Sequence, residues 1–194
     1  IDWGMITTNP FLKIKIKKQQ CNRPAIIDER ELEKIAAAEN GKDFADIYRF
    51  SFYTGARLGE TITMKWENVD FENKLITIGD EDFETKSRQQ RFIPIRYKLL
   101  KVLEGRVHSK KSKDKYVFPK SSGTTFTGSY ISKRFKRAVR KAGMDESIHY
   151  HSLRHSFGSE LGMKGISITI IKDLMGHSSV SVTEKYSHTN LSSL

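Results

Sequence analysis

Apolar side chains recur at helical spacing over most of this chain. Between residues 29 and 39, good helix formers follow Asp28 and Glu31, whose spacing is that of a reciprocal N-terminal cap. This pattern predicts a first helix from Glu29 to Glu39. The same periodicity, interrupted by glycines and started by serine caps, predicts further helices. They cover residues 43–53, 56–66, 96–105, 129–142, 152–163, 168–175 and 180–186.

Short runs of β-prone residues lie between the third and fourth predicted helices. They cover residues 69–71, 75–78 and 91–95, with polar turns between them. This arrangement predicts a small antiparallel three-stranded sheet, with Lys86 in its last hairpin. The predicted fold class is therefore α+β, mainly α-helical.

The chain is strongly basic. Its 194 residues are enough for one substantial domain, and 34 Lys and Arg residues against 23 Asp and Glu give a net charge of +11. Such an excess favours a polyanionic partner, although a merely soluble basic surface would have the same composition. Nucleic acid is therefore a candidate partner that charge alone does not establish.

Basic residues are concentrated on one predicted helix. Residues 129–142 carry an apolar stripe, and lysines and arginines occupy the remaining surface. This basic amphipathic helix is our candidate DNA-binding surface. The predicted DNA-binding residues are Lys133, Lys136, Arg137 and Arg140.

Several classes of protein are disfavoured by what the sequence lacks. No apolar run is long enough to span a bilayer, and no secretory signal pattern appears, so we expect a cytoplasmic protein that does not bind membranes. The single Cys21 allows no internal disulfide and is too little for a thiolate metal site. The chain begins with Ile1, and the Lys-rich stretch before Pro24 is typical of a linker, so we expect a fragment that lacks an upstream portion.

Six scattered polar residues are suited to phosphate chemistry. A planar guanidinium donates two parallel hydrogen bonds to phosphate oxygens, and a tyrosine hydroxyl is able to attack a phosphodiester. Taken singly, the arginines are better explained by surface salt bridges, and the tyrosine by packing. The six are Arg57, Lys86, His151, Arg154, His177 and Tyr186.

Four segments around these residues resemble the catalytic domain of the tyrosine recombinase (phage integrase) family. They read TGARLGE at 54–60, ETKSRQQRFIPI at 84–95, HSLRH at 151–155 and LMGHSSVSVTEKYSH at 174–188. Their order and spacing match as well. The resemblance implies the fold of that catalytic domain over residues 25–188. It also implies that residues 1–24 are an interdomain linker at the end of a missing N-terminal DNA-binding portion, and residues 189–194 a C-terminal tail.

The resemblance also implies roles for the residues that break and rejoin DNA. Tyr186 would attack the scissile phosphate and form a 3′-phosphotyrosyl link, while Lys86 would protonate the departing 5′-oxygen. Arg57 and Arg154 would stabilise the pentavalent phosphorus, with preorganised charge as the largest effect.

The remaining residues of the motifs would assist this chemistry. His151 resembles the histidine that helps proton transfer, and His177 the residue that donates a hydrogen bond to the phosphate. Glu60 and His155 would act as supports. The sequence departs from the family pattern at Thr61, where an apolar residue is common, and at Gly59 inside the helix start.

We predict no cofactor and no metal. A phosphotyrosine conserves the energy of the broken diester, and the chain has no GxxxxGK[ST] phosphate-binding loop. The spacing of His149, His151 and His155 could suggest a metal, but no HExxH pattern or cysteine supports one. The acidic residues 80–82 could bind magnesium in a two-metal nuclease, although a solvated turn is the better interpretation.

The sequence thus favours a site-specific recombinase or integrase acting on double-stranded DNA recombination sites as a homotetramer. We expect a bacterial or phage-encoded, DNA-associated protein of a mobile element. A type IB topoisomerase is an alternative, because it uses similar residues. A catalytically inactive DNA-binding module is another.

Overall fold

The structure is a computed structural model that describes residues 24–79, 90–109 and 114–177, together with residue 183. Helices and a small sheet make up this part of the chain. The helices are α1 Glu29–Ala38, α2 Lys42–Thr54, α3 Leu58–Ile62, α4 Tyr97–Ser109, α5 Gly128–Lys141, α6 Tyr150–Met163 and α7 Ile168–Met175. The strands are β1 Val69–Asp70, β2 Leu75–Ile78 and β3 Arg91–Pro94, and a short 3-10 turn covers Trp66–Asn68.

The start of α1 is fixed by the cap that the sequence predicts. The Asp28 carboxylate accepts a hydrogen bond from the Glu31 amide at 2.8 Å, and the Glu31 carboxylate accepts one from the Asp28 amide at 2.8 Å. Each side chain thus satisfies an amide that the helix itself leaves without a partner. The predicted first helix is confirmed, with its end at Ala38.

The three strands form an antiparallel sheet in the order β1, β2, β3. Val69 pairs with Ile76, and Ile76 pairs with Ile93 on the other side. Ile76, Ile78 and Ile93 are buried, which places one face of the sheet on the core. The predicted sheet and the α+β, mainly helical class are confirmed.

The third predicted helix is shorter than expected. We predicted residues 56–66, but α3 covers only Leu58–Ile62. After α3 the chain pairs with a later segment, because the Met64 carbonyl accepts from the Val117 amide at 2.8 Å and Lys65 forms a β-bridge with Tyr116. Tertiary pairing therefore overrides helical propensity at this point.

The main core lies among α1, α2, α4, α5, α6 and the inner face of the sheet. A smaller apolar cluster joins α6 to α7 through Phe157, Leu161, Ile171 and Met175. Leu174 packs against both. This second cluster holds the end of α7 beside α6 and β3.

Some predictions fall on residues that the structure does not describe. They are the linker up to residue 23, the hairpin with Lys86, nearly all of the predicted helix 180–186 including Tyr186, and the tail 189–194. These stay predictions.

In the part of the chain that the structure describes, no helix is both long enough and apolar enough to cross a membrane.

Candidate active site

Arg57 lies at the junction of α2 and α3. Gly55 ends α2 in the left-handed conformation at φ 64°, and Arg57 is then the extended residue that precedes α3. Glu60, three residues later, accepts hydrogen bonds from the Arg57 amide at 2.7 Å and from Arg57 Nη1 at 3.0 Å. The start of α3 therefore fixes both the backbone and the guanidinium of Arg57.

Glu60 is also bound by a second arginine. The carboxylate is buried, and it accepts hydrogen bonds from Arg91 Nη1 at 3.1 Å and Arg91 Nη2 at 2.5 Å. Burial opposes its ionisation, but the hydrogen bonds and charge of Arg91, followed by those of Arg57, outweigh burial and lower the pKa of Glu60 below its ordinary value. One ionised carboxylate is thus shared by two guanidinium groups.

Arg154 and Arg57 both bind the C-terminal end of α7. Arg154 is 2% exposed on α6, and it donates from Nη1 to the Gly55 carbonyl at 2.6 Å and from Nη2 to the Met175 carbonyl. Arg57 Nη2 donates to the next carbonyl, that of Gly176, at 2.8 Å. Because the last carbonyls of a helix carry partial negative charge, they attract both guanidinium groups. The C-terminal ends of α2 and α7 and the first turns of α6 therefore meet around these two arginines.

His177 follows directly after this helix end. Gly176 adopts the left-handed conformation at φ 62° and ends α7, and the half-buried His177 ring places Nδ1 3.0 Å from Thr183 Oγ1. The pKa of His177 is lowered to about 4, mainly because the ring is partly buried and also because the positive charges of Arg154 and Arg57 lie nearby. The imidazole is therefore neutral at pH 7, a form in which one ring nitrogen donates and the other accepts.

His151 and His155 lie one turn apart on α6. The His151 side chain is exposed, and partial desolvation, with the nearby charges of Arg154 and Arg57, lowers its pKa. The two rings meet edge to face with centroids 4.7 Å apart. Among the described residues, no group of three His, Cys, Asp or Glu side chains is arranged to hold a metal ion.

The structure thus brings together five predicted residues on the described elements: Arg57, Glu60, His151, Arg154 and His177. His155 lies beside His151. Lys86 and Tyr186 lie outside the described residues, so their positions stay predictions.

Arg91 is the residue of this site that sequence reasoning missed. We predicted it only as the first residue of a strand. The signal was available, because strand alternation puts Arg91 on the same face as Ile93, and that face is the buried one. A buried guanidinium requires a partner, which here is Glu60.

Thr61, the departure from the family pattern, is accommodated by a buried group of hydroxyls. Its side chain is fully buried and lies 2.8 Å from Ser51 Oγ, which in turn lies 2.5 Å from the Tyr150 hydroxyl. The Thr61 hydroxyl also donates to the Arg57 carbonyl at 3.2 Å. This hydroxyl triad therefore supports the start of α3 from behind.

The predicted DNA-binding helix is α5. Lys133 and Arg137 are exposed on its outer surface. Lys136 and Arg140 form ion pairs with Glu146 at 3.0 and 2.7 Å. A contact of these four residues with DNA stays a prediction. DNA would have to compete with Glu146 for Lys136 and Arg140.

Comparison with known proteins gives consistent matches. The model of the phage integrase family matches residues 26–192. A tyrosine recombinase XerC-like protein of Caldanaerobacter subterraneus subsp. tengcongensis is 27% identical to the chain, over 97% of the chain and 58% of that relative. The chain spans 58% to 66% of the length of the curated relatives it matches.

Solved structures have the same fold. The catalytic domain of bacteriophage HP1 integrase is 27% identical, with a TM-score of 0.63 over 85% of the chain and 88% of that domain. The integrase of transposon Tn1549 in complex with transposon right end DNA is 20% identical, with a TM-score of 0.80 over 95% of the chain and 68% of that structure. These likenesses confirm the predicted fold.

Proposed function

The chain belongs to the phage integrase family, and on that premise we propose that residues 25–188 are the catalytic domain of a site-specific recombinase that cleaves and rejoins DNA through a tyrosine. The observation that carries this proposal is the convergence of Arg57, Arg154 and His177 at the end of α7. Two guanidinium groups and a neutral imidazole at one point suit a phosphodiester whose negative charge increases in the transition state.

Charge at this point supports the binding of an anion. Arg57 uses two of its five N–H donors on Glu60 and Gly176 among the described residues, so donors remain for phosphate oxygens. Its side chain is 39% exposed, and a ligand is therefore able to reach it. Bidentate bonds from arginine to phosphate are short and directional, which gives the anion a fixed orientation.

In the proposed reaction Tyr186 is the nucleophile. Its phenol oxygen bonds to phosphorus, the bond from phosphorus to the 5′-oxygen breaks, and Lys86 gives a proton to the departing oxygen. The phenol proton goes to an acceptor, and the lowered pKa of His151 supports that role because it keeps the imidazole unprotonated at pH 7. Religation reverses these steps, so neither a nucleotide nor a metal is required.

The proposed substrate is double-stranded DNA that carries a recombination site, bound by a homotetramer. The net charge of +11 supports a polyanionic ligand, and the Tn1549 integrase was solved in complex with transposon end DNA. Lys133 and Arg137 on α5 are proposed to bind the DNA backbone, because both are exposed. Affinity should then fall steeply as salt rises.

Covalent capture tests this function. We expect the chain to form a denaturant-resistant adduct with duplexes from a randomised pool that carry a nick, which lets the cleaved end diffuse away. Tyr186→Phe should form no adduct, whereas Tyr97→Phe, at a tyrosine 71% exposed on α4, should form as much as the unaltered chain. An adduct in Tyr186→Phe would disprove the assignment of the nucleophile. Relaxation of supercoils without strand exchange between two captured sites would indicate a topoisomerase instead.

A further inference from the structure

Arg91 is a buried charge that pairs with Glu60 and packs against Gly176. It begins β3, is 6% exposed, and directs its guanidinium towards α3 and the end of α7. Removing a guanidinium from water is costly, and a buried ion pair is often no more stabilising than an apolar pair of the same size. Fold stability alone therefore does not explain an arginine at this position.

Glu60 connects Arg91 to Arg57. Its Oε1 accepts from Nη1 of both arginines, at 3.0 Å from Arg57 and 3.1 Å from Arg91. Its Oε2 accepts from the Arg57 amide at 2.7 Å and from Arg91 Nη2 at 2.5 Å. Because each oxygen binds both residues, a change at Arg91 alters the place of the carboxylate and with it the direction of the Arg57 guanidinium.

Arg91 also contacts the turn that precedes His177. A Cβ atom added to Gly176 would lie 3.0 Å from Arg91 Nη1 and 3.3 Å from its Cδ, so the guanidinium lies directly against this left-handed residue. The Gly176 carbonyl on the same turn accepts from Arg57. Arg91 is therefore in contact with both structures that determine where Arg57 and His177 are held.

We propose that Arg91 is a positioning residue for cleavage: through Glu60 it orients Arg57, and through Gly176 it fixes the turn that carries His177. This inference rests on the proposed function, since the groups it orients are those that would bind the phosphate. Arg91 itself need not touch the DNA.

Arg106 provides a matched control. It is likewise buried, at 8% exposure, pairs with Asp43 at 2.8 Å and Asp46 at 3.5 Å, and donates to the Val117 carbonyl. Its carboxylate partners lie in the first turns of α2, whereas Gly55 and Arg57 follow the C-terminal end, about 14–18 Å further along the helix axis. Arg106 thus has the burial and pairing of Arg91 without the link to Arg57 or His177.

Single-turnover adduct formation tests the inference. We expect Arg91→Gln to slow adduct formation about 100-fold, the effect of a misplacement of about 1 Å, with DNA affinity within about twofold of the unaltered chain. Arg91→Lys should recover part of the rate, since it keeps the charge but loses the bidentate pair. Glu60→Gln combined with Arg91→Gln should be less slow than the product of the two single losses, because the two residues share the path to Arg57.

The control separates positioning from folding. Arg106→Gln should lower the Tm at least as much as Arg91→Gln, yet leave the rate per folded molecule unchanged. If Arg91→Gln lowered the Tm and left the rate unchanged, Arg91 would be merely structural and the inference would be wrong.

A second readout does not depend on cleavage. Arg91 is among the charges that lower the pKa of His177 to about 4, so an NMR titration of the His177 ring should show a higher pKa in Arg91→Gln and no change in Arg106→Gln. An unchanged His177 titration in Arg91→Gln would overturn the inference. If the unaltered chain formed no adduct while this titration shifted, the proposed function would fail and the effect of Arg91 on His177 would stand.

Discussion

Two partly buried groups of arginines and carboxylates lie near opposite ends of α2, and they differ in charge balance. At the C-terminal end, Arg57 and Arg91 share the single carboxylate of Glu60. At the N-terminal end carboxylates outnumber arginines. There Arg106 pairs with Asp43 and Asp46, and Arg49 pairs with Asp46 and Glu33.

The pKa values of the two buried carboxylates show the consequence. Burial acts on both, yet the pKa of Glu60 is lowered, because Arg91 and Arg57 outweigh burial. The pKa of Asp46 is raised, because burial outweighs Arg106 and Arg49. An excess of guanidinium groups has no advantage for folding alone, since buried charges are stable when matched. The group with more guanidinium groups than carboxylates is therefore the one suited to a negatively charged ligand.

The largest expected effect is on cleavage, at Arg57. We expect Arg57→Gln to reduce the rate of adduct formation about 10²–10³-fold, the usual loss when one donor to a transition-state anion is removed. Its Tm should change little, because the side chain is 39% exposed. Single-turnover gels and thermal unfolding measure the two quantities, with the exposed Arg30→Gln as control. If Arg57→Gln lowered the Tm and left the rate of adduct formation unchanged, the group around Glu60 would serve folding alone, as the group around Arg106 does.

The next effect is on stability, at Arg106. We expect Arg106→Gln to lower the free energy of unfolding by about 3 kcal/mol, because it leaves the buried Asp46 without one of its two arginines. Urea denaturation measures this loss, and adduct formation per folded molecule should be unchanged. A slower rate in this variant would mean that the group around Arg106 also affects the site.

The sequence predicted most of the fold because its elements have local signals. The capped start of α1 and the amphipathic α5 depend on residues within a turn or two of each other. The end of α3 was missed because it depends on pairing between Met64 and Val117, which are distant in the chain. Helix propensity is a property of neighbouring residues, so it does not predict a contact between distant segments.

The motif residues of the candidate site could be predicted from the sequence, but the residues that hold them in place could not. Arg57, Arg154 and His177 were found from their spacing within a family pattern. Arg91 was not, since its importance arises from a carboxylate 31 residues earlier in the chain. The carbonyl partners of Arg154 at Gly55 and Met175 are also set by tertiary packing, which spacing does not encode.

Gly176 provides a smaller test of the contact with Arg91. At φ 62° any other residue is strained by about 1–2 kcal/mol, and we expect Gly176→Ala to lose about that much stability. Gly165→Ala is the matched control, because Gly165 has φ 74° and open space where a Cβ would lie. Both variants should show a similar shift in unfolding free energy, but only Gly176→Ala should slow adduct formation. If the two variants formed adduct at equal rates, the contact between Gly176 and Arg91 would not matter for cleavage.

The smallest expected effect tests whether neutral groups behind α3 also orient the site. Tyr150→Phe removes the hydroxyl that lies 2.5 Å from Ser51 Oγ, and we expect it to lower the free energy of unfolding by about 1 kcal/mol, the net value of one buried hydrogen bond. Thr61 still bonds both Ser51 and the Arg57 carbonyl in this variant. The rate of adduct formation should therefore be unchanged, as measured alongside urea denaturation. A slower rate would show that the orientation of Arg57 depends on the hydroxyl triad as well as on Glu60, and the contrast between charged and neutral support of the site would fail.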